Sequence, residues 1–408
     1  MSVPVILVIV TLDTKADEAA YIKKRIELHG CKALIMDAGI LGGNNFGGDI
    51  VRNEVAKAGG WVLEELAKQE THIRIGTMIK GCAAVCADLY KKGAFQGVIS
   101  IGGAQGTDIG TAGMRELPFG VPKFMVSTVA SGRAIFGPYV GTKDIIMMHS
   151  VADIQGINFL TRTVFDNAVA SVCGMLTKPP AESSIEDKPA VALSMLGSTT
   201  AGAMRAHKIL TERGYNAIAF HQNGTGGIAM EDLLREGRFK AALDINLHEI
   251  GDAVAGGLHG AIRDYRLTSA GELGVPQVIA PGSINYAVWG PEPTLKPELR
   301  KQKYVIHNPQ LTLVRLTHDE IIKTAEITAE RISRAKGPVH VYIPLKGLSY
   351  YDQEGSGHWE PEGNELFFKT LKKNLDSRIP YDELEMHIND PEFIDVVTGE
   401  LLRILEKN

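Results

Sequence analysis

Short apolar runs rich in β-branched residues alternate along this chain with longer segments of helical spacing. In the first half the runs occupy residues 5–10, 32–37, 97–101 and 123–127. The segments predicted as helices include residues 51–69, 77–91, 107–116 and 158–176. Between the first two runs, Ala19, Ile22 and Ile26 recur at helical spacing, and Gly30 is placed to end that helix. Continuous apolar runs are typical of strands buried on both faces, so the pattern predicts a parallel α/β sheet with right-handed crossovers.

A proline-containing segment divides this pattern into two halves. Residues 178–189 hold three prolines and no periodic apolar positions, which favours a linker. We therefore predict one domain over residues 1–180 and a second over residues 188–408. The alternation then starts again, with strands predicted at 190–196 and 217–220 and a helix at 203–213.

Several landmarks repeat between the two halves at a constant offset. Four pairs differ by 184 positions: Gly30 and Gly214, Asp37 and His221, Gly42 and Gly226, Gly43 and Gly227. Two apolar runs that end in glycine, 98–102 and 278–282, differ by 180. These offsets predict two α/β halves of similar topology, whose sheets have the same strand order.

Composition and charge narrow the possible functions. The 408 residues carry a formal net charge of −5, so we expect no nucleic-acid partner. The chain has no run of 18 apolar residues and its N-terminus lacks the basic region of a secretory signal, so we expect no membrane partner and a cytoplasmic location. The 4 cysteines are too scattered for a disulfide framework. Cys82 and Cys86 are expected to be small buried residues on one helix, and no metal is assigned to them.

The loop Gly102–Thr107 is the strongest candidate for ligand binding. A β-branched run ends in Gly102 and Gly103, and Gly106 and Thr107 follow in a helix-compatible segment. Glycines let backbone N–H groups gather around an anion, and a helix N-terminus favours negative charge. The spacing matches neither Gly-x-Gly-x-x-Gly nor the phosphate loop that ends in Gly-Lys-Ser/Thr. An anion-binding loop and a plain tight turn between strand and helix both fit these residues.

Loops after other strands of the first half add polar groups. Asp13, Thr14 and Lys15 follow the first strand, and Ser131 and Gly132 follow the fourth. Ligands of open parallel sheets bind at the carboxyl ends of the strands, so these loops should lie together. Amides and hydroxyls suit phosphates, Lys15 supplies positive charge, and a carboxylate suits Mg²⁺ or a ribose. A nucleotide site is thus predicted; the alternative is that Thr14 caps a helix and Lys15 is a solvated residue of its first turn.

A second ligand is expected at the strand ends of the second half. The candidate residues are Ser198, Thr199, Thr200, His221, Asn223, Gly224 and Lys346. His221 is a candidate acid–base group because histidine titrates near neutral pH, although an isolated histidine is more often a structural residue.

Asp244 and His248 are four residues apart, so on a helix they would share a face and hold a divalent ion; a polar helix surface fits equally well. The sequence around Ser283 lacks the second glycine of Gly-x-Ser-x-Gly, the nucleophile elbow of hydrolases.

Six motifs of the chain resemble those of one known family. They are Val10–Lys15, Gly102–Thr107, His149–Asp153, Met195–Thr200, His221–Gly227 and Ile343–Gly347. In this order they are similar to the Tm-1-like ATP-binding family, also called UPF0261, over nearly the whole chain. The resemblance implies two Rossmann-like three-layer subdomains, each with a mostly parallel sheet. It also implies ATP on the N-terminal loops and a homodimer.

Two functions follow from the residues and the resemblance together. The first is an ATP-binding enzyme that uses ATP, with or without Mg²⁺, on a small anionic or hydroxylated metabolite bound between the two subdomains. The alternative is a non-catalytic ATP-binding module that regulates a partner interaction, because no general base with a recognisable partner is visible. A carboxylate-binding protein without a nucleotide also stays open, since glycine loops do not distinguish phosphate from carboxylate. No catalytic residue is assigned.

Overall fold

The computed structural model describes residues 3–42, 46–131, 137–178 and 188–407. The chain divides into two compact units, Met1–Ser184 and Ile185–Asn408. The sequence places the linker over residues 178–189, and the division between the units falls within it.

The N-terminal unit alternates strands and helices along a parallel sheet. Its elements are β1 (Val5–Val10), α1 (Leu12–Leu28), β2 (Lys32–Asp37), α2 (Arg52–Ala58), α3 (Leu63–Leu66), α4 (Thr71–Lys91), β3 (Gly97–Gly102), α5 (Ala104–Arg115), β4 (Lys123–Ser127), α6 (Gly137–Val140), β5 (Ile146–His149) and α7 (Phe159–Thr177). The strands are ordered β2-β1-β3-β4-β5, and all neighbours are parallel. The predicted α/β class is therefore confirmed.

Strand β1 explains why this sheet needs apolar residues at every position. Ile6 and Val8 pack in the cluster that includes helices α1 and α7, whereas Leu7 and Ile9 pack in the cluster on the opposite face. Side chains of a strand alternate between faces, so helices cover both sides of β1. Each such aliphatic side chain contributes about 1.5–3 kcal/mol by burial.

Several helix boundaries of the N-terminal unit differ from the prediction. The helix predicted over 51–69 is wrong: it is broken into α2 and α3 at Gly59 and Gly60, and Gly60 has a left-handed φ of 97°. Helix α5 begins at Ala104, directly after Gly103, rather than at residue 107. The earlier start makes Gly103 and Gly106 part of a helix N-terminus.

The C-terminal unit contains a longer parallel sheet and a small antiparallel one. Its elements are β6 (Ala190–Met195), α8 (Thr200–Glu212), β7 (Asn216–His221), α9 (Thr225–Arg235), β8 (Ala241–Asp244), α10 (His248–Ala255), α11 (Ser269–Glu272), β9 (Gln277–Ile279), β10 (Tyr286–Trp289), β11 (Tyr304–Asn308), β12 (Leu311–Arg315), α12 (His318–Ser333), β13 (Val339–Pro344), α13 (Pro361–Asn374), β14 (Tyr381–Leu384) and α14 (Pro391–Leu405). The parallel sheet has the order β14-β13-β9-β8-β6-β7, and the antiparallel sheet the order β10-β12-β11. The antiparallel sheet is inserted between β9 and β13, and the sequence did not predict it.

Both parallel sheets follow the same topology. Numbered within its own sheet, each begins in the order 2-1-3-4-5, and the C-terminal sheet adds a sixth strand at its edge. The shared strand order is what the offset of 184 predicts, and β2 and β7 start at that offset. The offset of 180 was misleading, because residues 98–102 belong to the third strand of one sheet and Val278 to the fourth strand of the other.

No helix in the described parts of the chain is both long enough and apolar enough to cross a lipid bilayer.

We predict that Gly81→Ala destabilises the N-terminal unit. Gly81 lies in α4 where that helix meets α2, and a Cβ there would overlap the carbonyl oxygen of Val55. We expect the free energy of unfolding to fall by about 1–3 kcal/mol, measured by urea denaturation followed by circular dichroism. The matched control is Gly174→Ala in α7, where nothing lies within 4 Å of an added Cβ. The control should gain about 0.4–1 kcal/mol, and equal stability of the two variants would contradict this packing.

Candidate functional site

The N-terminal unit has a cavity where its strand order reverses. Strands β1 and β3 are neighbours, yet the chain continues from β1 to β2 on the other side. Loops that follow two such strands diverge and leave a crevice, which is the usual ligand site of open α/β sheets. The crevice has a volume of about 710 Å³. Its lining includes Thr11, Asp13, Thr14, Lys15, Ala38, Ile40, Leu41, Gly42, Thr71, Arg74, Ile75, Gly103, Ala104, Gln105, Gly106 and Ile109.

The first turn of α5 contributes unpaired backbone donors to this cavity. The first backbone bond of the helix joins the Thr107 N–H to the Gly103 carbonyl at 2.8 Å. Within the described residues, the N–H groups of Ala104, Gln105 and Gly106 have no hydrogen-bond partner, and all three residues line the cavity. These N–H groups carry the positive end of the helix dipole, so this wall suits an anion.

Two predicted residues of the loop act by shaping it. A Cβ on Gly102 would lie 2.7 Å from the Cα of Gly106, so only glycine lets the strand end and the helix approach this closely. The hydroxyl of Thr107 is buried, donates to the Gly103 carbonyl at 2.8 Å and lies 2.7 Å from the Ser127 hydroxyl. Gly102 and Thr107 therefore fix the conformation of the loop, while Gly103 and Gly106 line the cavity.

The carboxylates near the cavity organise the neighbouring loop. Asp13 accepts the N–H groups of Ile40 and Leu41 at 2.9 and 3.0 Å through Oδ2. Asp37 accepts the Leu12 N–H at 3.1 Å and pairs with Arg52 at 2.7 Å. Asp13 belongs to the cavity lining, so it combines this structural role with a position beside any bound ligand.

Two cationic side chains, Lys15 and Arg74, line the same cavity. Thr14 does not cap α1, because the helix begins at Leu12 and Thr11 occupies the N-cap position. Lys15 interrupts the helix with φ −131° and ψ 28°, which sets it apart from an ordinary first-turn residue. Arg74 was missed by the sequence reasoning, because α4 begins six residues earlier than predicted, at Thr71.

Ser131, a further N-terminal candidate, lies elsewhere. The Ser131 hydroxyl lies 3.2 Å from Nε2 of His149, at the end of β5, and Ser131 is not part of the cavity lining that the described residues form. Gly132 lies outside the described residues.

The C-terminal unit has its own pocket, of about 330 Å³. It lies at the ends of β6 and β7, beside the inserted antiparallel sheet. Its lining includes Leu196, Gly197, Ser198, His221, Asn223, His259, Tyr286, Val288, His307, Leu311, Leu313 and Tyr351. Three residues predicted for a second ligand, Ser198, His221 and Asn223, are thus brought together. Tyr286 in β10 and His307 in β11 come from the inserted sheet, so topology brings them here from a distance in sequence.

Other predicted residues of the second site support the pocket without lining it. Thr199 is buried and accepts a bond from Nδ2 of Asn246 at 3.0 Å. The Thr200 hydroxyl donates to the carbonyl of Leu196 at 3.1 Å. Gly224 has a φ of 96° and donates its N–H to Glu249 at 2.6 Å. Lys346 lies outside the described lining and donates its N–H to the Met386 carbonyl at 3.0 Å.

A cluster of hydroxyl groups forms the floor of this pocket. The Ser198 hydroxyl lies 2.7 Å from that of Ser283 and 2.8 Å from that of Tyr286. Ser283 has a φ of 57°, a left-handed conformation that is uncommon for residues with a side chain. Asn246 donates to Ser283 at 3.0 Å, and burial raises the pKa of Tyr286 above its ordinary range. The cluster is therefore a preorganised set of neutral hydrogen-bonding groups.

Three titratable groups adjoin this cluster. Nε2 of His248 lies 3.2 Å from Nδ1 of His259 and 3.4 Å from Oδ1 of Asp252. Burial lowers the pKa of His248 to about 3 and raises that of Asp252 to about 6. The predicted pair of Asp244 and His248 on one helix is wrong, because Asp244 ends β8 and α10 begins at His248. The spacing that matters is that of His248 and Asp252, four residues apart on α10.

A buried arginine, Arg266, supports the pocket from beneath. Its guanidinium contacts Asp244 at 2.8 and 2.9 Å, Glu249 at 3.2 Å and Glu231 at 3.3 Å. Burial alone would lower the pKa of Arg266, but these carboxylates raise it above its ordinary value. Glu249 also accepts the N–H group of Gly224, so the Arg266 cluster fixes the loop that carries His221 and Asn223.

Comparison with known proteins shows the family. The N-terminal domain of the uncharacterised protein family UPF0261 matches residues 4–181, and its C-terminal domain matches residues 188–405. The chain belongs to the UPF0261 family. A UPF0261 protein of Clostridium tetani is 39% identical over 404 residues, which cover 98% of this chain and 99% of that protein. One from Mesorhizobium japonicum is 34% identical over 402 residues, covering 97% of this chain and 98% of that protein.

A plant relative matches this UPF0261 chain in part. The ToMV resistance protein Tm-1(GCR237) of Solanum lycopersicum is 36% identical over 318 residues. The match covers 76% of this chain and 42% of the tomato protein. The resemblance to the Tm-1-like family is thereby confirmed.

We predict that Arg266→Met strongly destabilises the C-terminal unit of this UPF0261 protein. The variant leaves three buried carboxylates without their cation, which should cost about 3–5 kcal/mol of unfolding free energy. Urea denaturation in a Trp61→Phe background, followed by fluorescence of Trp289 and Trp359, would report on the C-terminal unit alone.

The matched control for this prediction is Arg205→Met. Arg205 pairs with Asp395 on the surface at 2.5 and 2.7 Å, so its loss should shift the denaturation midpoint far less than the loss of Arg266 does. Similar midpoints for the two variants would show that the buried cluster does not stabilise the unit.

Proposed function

We propose that the N-terminal unit of this protein binds ATP. The observation that carries the proposal is the set of unpaired N–H groups of Ala104, Gln105 and Gly106 in the wall of the cavity. Lys15 and Arg74 add positive charge to the same cavity. Backbone donors at a helix N-terminus, together with flexible cations, match the phosphate groups of a nucleotide.

The other part of the cavity suits a nucleoside. Its lining includes the apolar side chains of Ala38, Ile40, Leu41, Ile75 and Ile109. A volume of about 710 Å³ lies in the range of small-molecule cofactor sites. A simple carboxylate would use the N–H groups but not this apolar surface, so the lining favours a nucleotide. Asp13 is the carboxylate of this lining that Mg²⁺ on the phosphates would meet.

The C-terminal pocket supports the proposal of an enzyme. We infer that it binds a small anionic or hydroxylated metabolite, because its floor is the hydroxyl cluster of Ser198, Ser283 and Tyr286 and its walls include His221 and His307. Such groups orient a hydroxylated ligand and exchange protons with it. A nucleotide-dependent enzyme is therefore the function that the two sites favour.

A non-catalytic ATP-binding module is the second candidate. It is favoured by Asp13, the acidic residue of the ATP cavity, whose carboxylate accepts two backbone N–H groups and so serves the loop. ATP would then stabilise one conformation for a partner.

We predict that Lys15→Met lowers the affinity for ATP. A charge-assisted contact contributes about 1.5–3 kcal/mol, which corresponds to roughly a 10- to 100-fold increase in Kd. Isothermal titration calorimetry with ATP, with and without Mg²⁺, measures the change. The control is Lys68→Met, which changes the net charge by the same amount. Lys68 is an exposed residue after α3, where it pairs with Glu65.

A second variant, Gly103→Val, tests the same site sterically. Gly103 has a negative φ of −80°, so no left-handed conformation is required there, and an added Cβ would lie 3.7 Å from the Thr128 hydroxyl, an ordinary van der Waals contact. The variant should keep its melting temperature and lose ATP binding. Unchanged ATP affinity in both variants would place the nucleotide elsewhere. Binding of citrate in place of ATP would make the site a carboxylate site.

We predict that the protein hydrolyses or transfers a phosphate of ATP only when a suitable metabolite is present. The measurement is ADP release by purified protein against a panel of small carboxylic and hydroxylated compounds. Ser198→Ala should reduce any turnover while leaving the Kd for ATP unchanged, since Ser198 belongs to the other unit. Tight ATP binding without turnover across the panel would favour the regulatory module.

A further inference from the structure

We infer that His248, Asp252 and His259 form a binding site for one divalent cation of the zinc class. The three residues lie in the C-terminal unit, and the inference does not depend on ATP binding in the other unit. One nitrogen or oxygen atom from each residue lies within 4.8 Å of the corresponding atoms of the other two.

Two of the three spacings between the ligand atoms fit tetrahedral coordination. Zinc lies at about 2.0–2.2 Å from histidine nitrogen and carboxylate oxygen, so neighbouring ligands of a tetrahedral site are about 3.4 Å apart. The observed distances are 3.2 Å between His248 Nε2 and His259 Nδ1, and 3.4 Å between His248 Nε2 and Asp252 Oδ1. The remaining pair of ligand atoms, from Asp252 and His259, lies within 4.8 Å, so these two side chains must draw closer together for one ion to contact all three.

A hydrogen bond to a backbone carbonyl directs a lone pair of His248 into this cluster. Nδ1 of His248 lies 3.2 Å from the carbonyl oxygen of Ser283. A carbonyl only accepts, so Nδ1 carries the proton and Nε2 presents its lone pair toward His259 and Asp252. Metal-binding histidines are commonly held in this way by a backbone carbonyl.

Asp252 is held as a metal-binding carboxylate would be. Its Oδ1 accepts the N–H of Val288 at 2.5 Å, and its Oδ2 accepts the N–H of His259 at 2.8 Å. Each carboxylate oxygen has two lone pairs, so these bonds fix the orientation of Asp252 and leave capacity for an ion.

Charge gives an independent argument. Asp252 is fully buried, and across the described residues its ion-pair partner is a histidine rather than a lysine or arginine. Other buried carboxylates of this unit have a guanidinium partner, as Asp244 has Arg266 and Asp352 has Arg315. Carboxylates are rarely buried without a cation, and a divalent ion would supply one here.

The proposed ion would have a coordination position open to the pocket. His259 is half-buried and lines the pocket with Ser198 and His221. Three protein ligands with a fourth position open are typical of zinc sites that bind a water molecule or a substrate. An oxygen of the anionic or hydroxylated ligand is the group that this position would accept.

The experiment is a titration of the full-length, chelator-treated protein with Co²⁺, followed by competition with Zn²⁺. We expect one equivalent of Co²⁺ to bind with the visible absorption of a tetrahedral site, and Zn²⁺ to displace it. His259→Ala should weaken Co²⁺ binding at least tenfold. The matched control is His307→Ala, a histidine of the same pocket that contacts the Tyr351 hydroxyl, and it should bind Co²⁺ as the wild type does.

Anomalous diffraction from wild-type crystals grown with Zn²⁺ tests the site without any substitution. We expect an anomalous peak between the imidazoles of His248 and His259. Less than stoichiometric binding of Co²⁺ and Zn²⁺ to the wild type would overturn the inference. So would equal affinities of His259→Ala and His307→Ala. ATP affinity measured on the same samples is expected to be unchanged in both variants, which separates this test from that of the nucleotide site.

Discussion

A buried cation, the guanidinium of Arg266, is the group on which the C-terminal unit most depends. It contacts carboxylates at the end of β8, on α9 and on α10, and so fixes three elements against one another. Burial raises the pKa values of Glu231 and Glu249, which shows that removing these carboxylates from water costs free energy. Only close contacts with the Arg266 guanidinium offset that cost. Because Glu249 lies between His248 and Asp252 on α10, the same contact that anchors this helix orients its two residues of the proposed metal site.

The two units use one topology in different ways. In each sheet the third strand is followed by a helix at the point where the strand order reverses. In the N-terminal unit the first N–H groups of α5 meet a cavity, whereas in the C-terminal unit the N–H of His248 is satisfied by the side chain of Asn246 at 3.2 Å. The first arrangement leaves a dipole available to an anion, and the second uses the helix to present side chains. A shared fold therefore does not imply a shared ligand.

The sequence was informative where a pattern is local. Continuous apolar runs predicted strands covered on both faces, and the offset of 184 predicted a common topology. The sequence was uninformative where distant segments meet, as with Tyr286 and His307, which come from the inserted antiparallel sheet. Arg74 was missed for another reason: α4 begins at Thr71, before the start that the sequence predicted. The sequence analysis singled out His248 with Asp244 as its partner. That pairing failed because Asp244 ends β8, whereas α10 begins at His248.

The bond from the His259 N–H to Asp252 has a consequence for how the pocket wall is assembled. It closes a short loop in which Gly256 has a left-handed φ of 78° and Gly257 leaves no space for a Cβ beside the Asp252 carboxylate. All of these residues lie between positions 248 and 259, so the conformational entropy lost in bringing His248 and His259 together is small. This corner of the pocket is thus built from one short stretch of sequence, and contacts with Ser283 and Val288 fix its orientation within the fold.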